Sequence, residues 1–361
     1  MGERKGPVES MGMSPAFWAG RRVLLTGITG FKGAWLALWL RELGAQVRGY
    51  SLAPPTSPSL FDLAKIAARV DWIEADVRDR ARLVHELSAW RPEVVFHLAA
   101  QSLVRVSYQQ PAETFETNVM GTVNVLEAVR ATPDVKAAVV VTSDKCYENR
   151  EWDWPYREND RLGGHDPYAS SKACAELVAS SYARSLLHES PVGVATVRAG
   201  NVVGGGDWAR DRLVPDVVTA LASGNAPHIR SPDSIRPWQH VLEPLSGYLV
   251  VAERLFHGYS GESWNFGPNT DAVQSVSSMA DAICAAWGAS ASWTREERKQ
   301  PHESHVLTVD SSKARARLGW RPRLDHRNTV AWTVEWYKAH AASADMAAYT
   351  QRQIHRYQEL P

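Results

Sequence analysis

Two short segments carry side chains whose types and spacing could perform proton transfer together. Ser143-Asp144-Lys145 closely follows the apolar run Ala137–Val141, which is typical of a buried parallel strand. Tyr168 and Lys172 are four residues apart and would therefore share one face of a helix. Open α/β sheets bind ligands beyond the carboxyl ends of their strands. The first segment is therefore expected to place a hydroxyl, a carboxylate and an amine at a ligand cleft.

The Tyr168 and Lys172 pair suggests how a hydroxyl group could be oxidised. A tyrosine phenol has a pKa of about 10 and is a poor base at neutral pH. A nearby Lys172 ammonium would stabilise the phenolate and lower that pKa. Tyr168 could then remove a hydroxyl proton while hydride leaves the same carbon. With the Ser143-Asp144-Lys145 segment, these residues suggest oxidation of a sugar hydroxyl followed by elimination of water.

A glycine-rich turn, Thr26-Gly-Ile-Thr-Gly-Phe-Lys-Gly33, follows an apolar strand and opens a helix. This context is typical of a dinucleotide-binding loop. Gly27 permits the tight turn, Gly30 allows the backbone to approach a pyrophosphate, and Gly33 allows the helix to pack on the strand. The helix N-terminus then offers N–H groups and a partial positive charge to the phosphates.

The cofactor prediction is NAD rather than NADP. The acidic residue expected about twenty residues after the turn is replaced by Gly49-Tyr50-Ser51, and no arginine ends that strand to bind a 2′-phosphate. Asp76-Val77, after the third strand, could hold the adenine, although such an aspartate is also a common helix cap. Lys32 adds a cation near the phosphates or is a solvated lysine at the helix start.

The elements around these motifs alternate between strand and helix. Apolar runs predict strands at 22–26, 45–50, 70–74, 93–98, 137–141 and 192–197. The predicted fold class is α/β: a doubly wound, Rossmann-like parallel sheet with a smaller α/β substrate lobe interleaved in sequence. The expected division is a flexible lead at 1–20, an NAD-binding domain at 21–200 and 237–270, a substrate-binding lobe at 201–236 and 271–335, and a C-terminal helical tail at 336–361.

Composition narrows the class of protein. The formal net charge is zero, which gives no indication of nucleic-acid or anionic-membrane binding. No apolar run reaches the roughly 18 residues of a membrane span. Three scattered cysteines, Cys146, Cys174 and Cys284, are too few for a disulfide framework or a zinc site. We therefore expect a cytoplasmic protein without a metal, a membrane partner or a nucleic-acid partner.

The motifs together resemble the extended short-chain dehydrogenases/reductases, over about residues 21–322. Within that superfamily the chain is similar to the nucleotide-sugar 4,6-dehydratases, and among them to those acting on CDP-glucose. The residues that carry the resemblance are Gly27, Gly30, Gly33, His97-Leu-Ala-Ala100, Asn118, Thr142-Ser-Asp-Lys-Cys-Tyr147, Tyr168, Lys172 and Gly200-Asn-Val-Val-Gly-Gly-Gly-Asp-Trp208.

The resemblance implies an oxidation, an elimination and a reduction within one active site, forming a 4-keto-6-deoxy sugar for deoxysugar and cell-surface polysaccharide synthesis. It implies that Asp144 is the general acid and Lys145 the base, where related enzymes carry Asp-Glu. This chemistry requires a protonated Asp144 and a neutral Lys145, which burial favours. An ion pair between the two side chains would oppose it and is the alternative interpretation.

The resemblance also extends the predicted site. The catalytic set is Ser143, Asp144, Lys145, Tyr168 and Lys172. The predicted NAD-binding residues are Gly27, Thr29, Gly30, Phe31, Lys32, Gly33, Asp76, Val77, Ala99, Ala100, Asn118, Tyr168 and Lys172. The predicted nucleotide-sugar-binding residues are Gln101, Asn201, Arg210, Arg212, Arg236 and Glu303. Family analogy predicts a homodimer formed through helices at 113–130 and 170–187.

Two other functions remain open from the sequence. A nucleotide-sugar 4-epimerase or reductase would need the tyrosine, lysine and serine but no acid/base pair for elimination. A regulator that binds NAD without catalysis, or an RNA-binding module on this fold, should lack part of the Tyr/Lys/Ser set or carry a basic face.

Overall fold

A seven-stranded parallel sheet forms the centre of the molecule. The computed structural model describes residues 14–269, 272–288, 292–296 and 306–361. The strands of the sheet, numbered in chain order, are β1 (Arg22–Thr26), β2 (Gln46–Ser51), β3 (Asp71–Glu74), β4 (Val94–His97), β5 (Ala137–Val141), β6 (Gly193–Arg198) and β7 (Glu262–Asn265). Their spatial order is β7-β6-β5-β4-β1-β2-β3, and every neighbouring pair is parallel.

The apolar runs form the central strands because both faces of the sheet are covered. Every residue of β4, β5 and β6 is buried. One hydrophobic cluster, including Leu25 and Val139, lies on one face, and a second, including Leu24 and Val140, lies on the other. The predicted doubly wound parallel sheet is confirmed, and no predicted strand end is shifted by more than one residue.

Helices cover the sheet and connect its strands. Those associated with the sheet are Pro15–Trp18, Phe31–Glu42, Leu60–Leu63, Arg80–Trp90, Val104–Gln109, Pro111–Phe115, Gly121–Arg130, Pro167–Ser181 and Leu242–Phe256. Short 3₁₀ turns occupy Ile66–Ala68 and Asp144–Cys146. The helix predicted at 113–130 is interrupted by a π-helical turn at Glu116–Met120, and a second π turn at Tyr182–Leu186 extends the helix that carries Tyr168.

A smaller α/β unit lies beyond the carboxyl end of the sheet. Its short strand pairs are Val202–Val203 with Gln239–His240, His228–Ile229 with Thr294–Arg295, and Ile235–Pro237 with Val273–Ser275. Its helices are Leu213–Ala222, Val276–Trp287 and Ser312–Leu318. Its segments alternate in sequence with those of the sheet.

The C-terminal helices, His326–Ala341 and Met346–Gln358, pack on the rest of the molecule. The expected boundary at residue 335 falls inside the first of these helices, so a division there would cut a continuous element. Trp336 on that helix is fully buried, and a Cβ placed on Gly205 would lie 1.9 Å from its indole. In the described part of the chain, no helix has the length and apolarity needed to cross a bilayer.

Candidate active site

A cleft of about 330 Å³ opens at the carboxyl end of the sheet, between it and the smaller unit. Its walls bring together residues that are far apart in sequence. The predicted site residues that line it are Phe31, Lys32, Ser143, Asp144, Lys145, Tyr168, Asn201, Arg212 and Arg236.

Ser143 organises the catalytic end of this cleft. Its Oγ accepts a hydrogen bond from the Lys145 backbone N–H at 3.2 Å, which caps the 3₁₀ turn after β5. Ser143 Oγ also donates to Asp144 Oδ1 at 3.0 Å, and the serine and Tyr168 side chains share a hydrogen bond. The serine therefore links the acid, the lysine backbone and the phenol.

Asp144 is buried, and one of its carboxylate oxygens accepts no hydrogen bond from the described residues. Its Oδ2 has no hydrogen-bond partner among the described residues, whereas Oδ1 is bonded to Ser143. A Cβ on Gly200 would lie 1.8 Å from Oδ2, so glycine is required there to make room for the carboxyl group. Asp144 and Lys145, both described, form no ion pair with each other. A buried oxygen without a partner is expected where a ligand supplies the missing contact.

Tyr168 and Lys172 lie on helix Pro167–Ser181, which begins after an Asp166 cap that accepts from the Ala169 N–H at 2.8 Å. Burial raises the pKa of Tyr168 to about 12, opposed by the hydrogen bond with Ser143. In the protein alone, the pKa of the phenol is therefore raised overall, not lowered as predicted. Lys172 Nζ instead donates to the Val141 carbonyl at 3.2 Å, and burial lowers the lysine pKa to about 8.

A buried ion pair connects strands β5 and β6 to the helix that carries Tyr168 and Lys172. Arg198 donates to Glu176 Oε1 from Nε at 2.9 Å and to Oε2 from Nη2 at 2.6 Å. Thr142, adjacent to Ser143, also donates to Glu176, as does Thr196 at 2.7 Å. Both members of the pair are almost fully buried. Glu176 lies one helical turn after Lys172, so the network joins β5, β6 and the Tyr168 helix.

The glycine turn has the shape that a dinucleotide requires. Gly27 has φ +72°, and a Cβ there would lie 2.6 Å from the Ala99 nitrogen. A Cβ on Gly33 would lie 2.1 Å from the Gly27 oxygen. A Cβ on Gly30 would lie 3.4 Å from the Gly27 oxygen, an ordinary van der Waals contact, and Gly30 precedes helix Phe31–Glu42 without a side-chain cap. The turn therefore fits a pyrophosphate against the helix N-terminus.

Lys32 projects from this turn into the cleft. Burial, reinforced by the nearby Arg212, lowers the pKa of Lys32 to about 8, while the negative charge of Asp144 opposes the shift. The ammonium is therefore close to both the glycine turn and the catalytic end of the cleft.

Some predicted residues are held elsewhere. The Gln101 amide contacts the Leu103 backbone and Thr114, because it folds onto its own loop instead of the cleft. Asn118 bonds the Gln101 backbone and Ser171, which is a positioning contact. Arg210 is exposed and does not line the cleft.

The remaining residues predicted to bind the cofactor or the nucleotide-sugar lie outside the lining of the cleft or outside the described residues. Asp76 bonds Arg78 within its own turn and does not cap the following helix, which Asp79 caps. Thr29, Val77, Ala99 and Ala100 lie in the loops at the carboxyl ends of the strands, as predicted for the cofactor side. Glu303 lies outside the described residues.

Comparison with known proteins identifies the family. A family model described as GDP-mannose 4,6 dehydratase matches residues 24–333. A CDP-glucose 4,6-dehydratase from Salmonella typhimurium is 50% identical over 348 residues, covering 94% of this chain and 97% of that protein. The chain belongs to the nucleotide-sugar 4,6-dehydratase family.

Two further dehydratases extend the comparison. A dTDP-glucose 4,6-dehydratase from Streptomyces antibioticus is 30% identical, with 89% of this chain and 93% of that protein covered. A crystal structure of a dTDP-glucose 4,6-dehydratase from Streptomyces venezuelae, with NAD and TYD bound, has a TM-score of 0.76 and 25% identity. It covers 90% of this chain and 99% of that chain. The predicted membership of the extended short-chain dehydrogenases/reductases is confirmed.

The structure also shows contacts in and around the cleft that the sequence did not reveal. Gly200 stands within a recognised motif, yet its contact with Asp144 joins positions 56 residues apart. The Arg198 and Glu176 pair had no signal beyond one basic and one acidic residue in apolar surroundings. Four charged residues that line the cleft form a cluster that was not predicted: Arg105, Asp211, Asp216 and Arg230.

Proposed function

We propose that this chain is a CDP-glucose 4,6-dehydratase that uses NAD to convert CDP-glucose into CDP-4-keto-6-deoxyglucose. The observation that supports this most directly is the presence of Asp144 and Lys145 beside Tyr168 in one cleft, without an ion pair between them. An epimerase or reductase on the same fold needs no such pair. The Salmonella relative, whose name specifies CDP-glucose, supports the choice of substrate.

The glycine turn from Gly27 to Gly33 would hold the cofactor pyrophosphate, and Tyr168 and Lys172 would lie near the nicotinamide ribose. NAD, when bound, supplies reversible hydride transfer, from carbon 4 of the hexose and back to carbon 6. The Tyr168 phenolate removes the proton of the 4-hydroxyl, and Ser143 holds the phenol through their hydrogen bond. Because burial raises the pKa of the phenol, the bound cofactor's positive charge and Lys172 must together favour the phenolate.

Elimination follows at the next two carbons. The ketone at carbon 4 acidifies the proton on carbon 5, and the Lys145 amine removes that proton. Asp144 donates a proton through its unpartnered Oδ2 to the hydroxyl leaving carbon 6, which departs as water. The protonated Lys145 would return its proton to carbon 5, and carbon 6 would receive the hydride back from the bound cofactor. Ser143, hydrogen-bonded to both Tyr168 and Asp144, would then pass the proton held by Tyr168 back to Asp144.

The sugar diphosphate would lie along the arginines of the cleft. Arg212 Nη1 bonds Asp207 at 2.8 Å and Nη2 bonds Ser102 at 3.2 Å, which orients the guanidinium group at the wall. Arg236 and Asn201 line the same cleft. Guanidinium groups are suited to phosphate oxygens because they can donate two parallel hydrogen bonds.

The same proposal covers assembly, location and pathway. Exposed apolar side chains on the helices beside the cleft support a homodimer through these helices: Phe115, Met120, Leu177 and Leu186. We propose a cytoplasmic enzyme that supplies deoxysugars for cell-surface polysaccharides such as lipopolysaccharide. The substrate-binding lobe and the NAD-binding domain would meet at the cleft. The C-terminal unit would begin at helix His326–Ala341.

The test is incubation of the purified protein with NAD and a panel of nucleotide-glucoses, followed by mass spectrometry. CDP-glucose should yield a product lighter by one water. A product of unchanged mass would indicate the epimerase. A product lighter by two hydrogens, formed together with NADH, would indicate the reductase running in its oxidative direction. Bound NAD with no turnover of any member would favour the regulator.

A further inference from the structure

A charged cluster of Arg105, Asp211, Asp216 and Arg230 lines part of the cleft. Arg230 Nη2 lies 3.3 Å from Asp216 Oδ2, and Arg230 Nη1 contacts Asp211. Arg105, from the sheet side of the cleft, lies 3.5 Å from Asp211. All four residues line the cleft, and none belongs to the proposed catalytic set.

Among the described residues, the ion-pair contacts of Asp216 and Arg230 are with each other and with Asp211, not with Asp144 or Lys145. The charges that act most on Asp216 are likewise those of Arg230, Asp211 and Arg105. Arg212, in contrast, interacts electrostatically with Tyr168. Arg212 precedes helix Leu213–Ala222, and Asp216 lies one turn into that helix. The cleft therefore runs from Tyr168 past Arg212 to the Asp216 and Arg230 pair.

A nucleotide-sugar would fill this path in one direction. If the hexose lies at Tyr168 and the diphosphate at Arg212, the nucleoside extends toward Asp216 and Arg230; this assignment rests on the proposed function. The cleft wall there also includes Leu213, Pro215 and Ile229, which offer apolar surface to the faces of a base.

The Asp216 and Arg230 pair places a hydrogen-bond acceptor, the carboxylate, beside the hydrogen-bond donors of the guanidinium group. Cytosine carries an N4 amino donor next to the N3 and O2 acceptors, and carboxylates accept from that amino group. Uracil and thymine carry an O4 acceptor and an N3–H donor at the corresponding positions. A carboxylate facing O4 and a guanidinium facing N3–H would repel those bases.

We propose that Asp216 and Arg230 read the base: the Asp216 carboxylate accepts from cytosine N4, and the Arg230 guanidinium donates to N3 and O2. Asp211 holds Arg230 from the opposite side, which orients the guanidinium group. Burial raises the pKa of Asp216 to about 6, so the carboxylate is still the major form at neutral pH. The cluster thus gives this dehydratase its preference for cytidine.

Asp216→Asn tests the proposal, because an amide can accept from cytosine N4 or donate to uracil O4. The ratio of kcat/KM for CDP-glucose to that for UDP-glucose should fall about tenfold or more. The change should lie mainly in KM, because the hexose contacts are untouched. Asp233→Asn is the matched control: Asp233 pairs with Arg295 on the same unit, and neither residue lines the cleft.

The outcomes separate base reading from catalysis. An unchanged ratio in the Asp216→Asn enzyme, or an equal fall in the Asp233→Asn enzyme, overturns the proposal. A wild-type preference for UDP-glucose or dTDP-glucose also overturns it. If no nucleotide-glucose is turned over, calorimetry with CDP and UDP decides. If the wild type binds CDP more tightly than UDP and Asp216→Asn abolishes this preference, base reading is supported even though the proposed reaction has failed. If the wild type binds CDP and UDP equally, base reading fails together with the proposed reaction.

Discussion

At the scale of single residues, the Lys145 amine separates oxidation from elimination. Lys145→Met should bind NAD as the wild type does, because Lys145 is not part of the glycine turn. Dehydration should fall by about a hundredfold or more, since a positioned general base contributes about that much. Isothermal calorimetry measures cofactor binding and mass spectrometry measures product. Product formation at the wild-type rate would remove Lys145 from the mechanism.

Gly200 gives a second prediction at this scale. Gly200→Ala would place a methyl group 1.8 Å from the present position of Asp144 Oδ2, so the carboxyl group must move. Displacement of a catalytic group by about an ångström can cost about a hundredfold in rate, and kcat should fall accordingly. Gly288→Ala is the control, because a Cβ there meets nothing within 4 Å. Equal kcat values for the two variants would show that Asp144 tolerates displacement.

The sequence predicted the individual groups better than their contacts. Residues near strand ends, such as Ser143 and Asp144, could be placed because parallel strands bring their carboxyl ends together. The Gly200 contact with Asp144 joins two loops far apart in the chain, and the Asp216 and Arg230 pair joins a helix to a residue 14 positions later. Local patterns encode neither contact. Gln101 was misplaced because its amide is satisfied within its own loop.

At the scale of elements, the Glu176 and Arg198 pair joins the Tyr168 helix to strands β5 and β6. Glu176→Gln should lower the free energy of unfolding by about 3–5 kcal/mol, because it leaves a buried arginine without a counter-charge. Glu335→Gln removes an exposed pair with Arg356 and should cost no more than about 1 kcal/mol. Urea denaturation measures both. Similar costs for the two variants would show that the buried network is not a structural support.

Strands were easier to predict than helix interruptions. The runs that became β1 and β5 are apolar throughout or nearly so, and burial on both faces requires that composition. The π turn at Glu116–Met120 contains no proline and does not interrupt the helical spacing of apolar residues. It arises from tertiary contacts, including the Asn118 bonds to Gln101 and Ser171.

At the scale of the whole molecule, Glu243 couples the C-terminal helices to the sheet. It accepts from the Leu324 N–H at 2.6 Å, the Arg323 N–H at 2.9 Å and the Tyr357 hydroxyl at 2.8 Å. Burial raises the Glu243 pKa from 4.5 to about 7. Between those values the folded protein binds more protons than the unfolded chain, so its stability decreases as pH rises through this window.

Glu243→Gln should remove this part of the pH dependence. Between about pH 5 and about pH 8, the wild type should lose on the order of 2 kcal/mol more unfolding free energy than the variant. Denaturation across that range measures the difference. Parallel stability curves for the two proteins would mean that Glu243 titrates normally in the folded state.

The overall arrangement of two interleaved units followed from the strand rhythm, which breaks after Arg198. The packing of the C-terminal helices could not be predicted in this way, because it depends on individual buried contacts such as that of Trp336 with Gly205. A tail was expected beyond residue 335, but helix His326–Ala341 crosses that position.

The most direct test of the central claim uses CDP-glucose carrying deuterium at carbon 4. Oxidation, elimination and reduction within one cleft should give CDP-4-keto-6-deoxyglucose that is lighter by one water and carries the deuterium at carbon 6. An unchanged mass, or a dehydrated product without deuterium at carbon 6, would contradict a single cleft that performs all three steps.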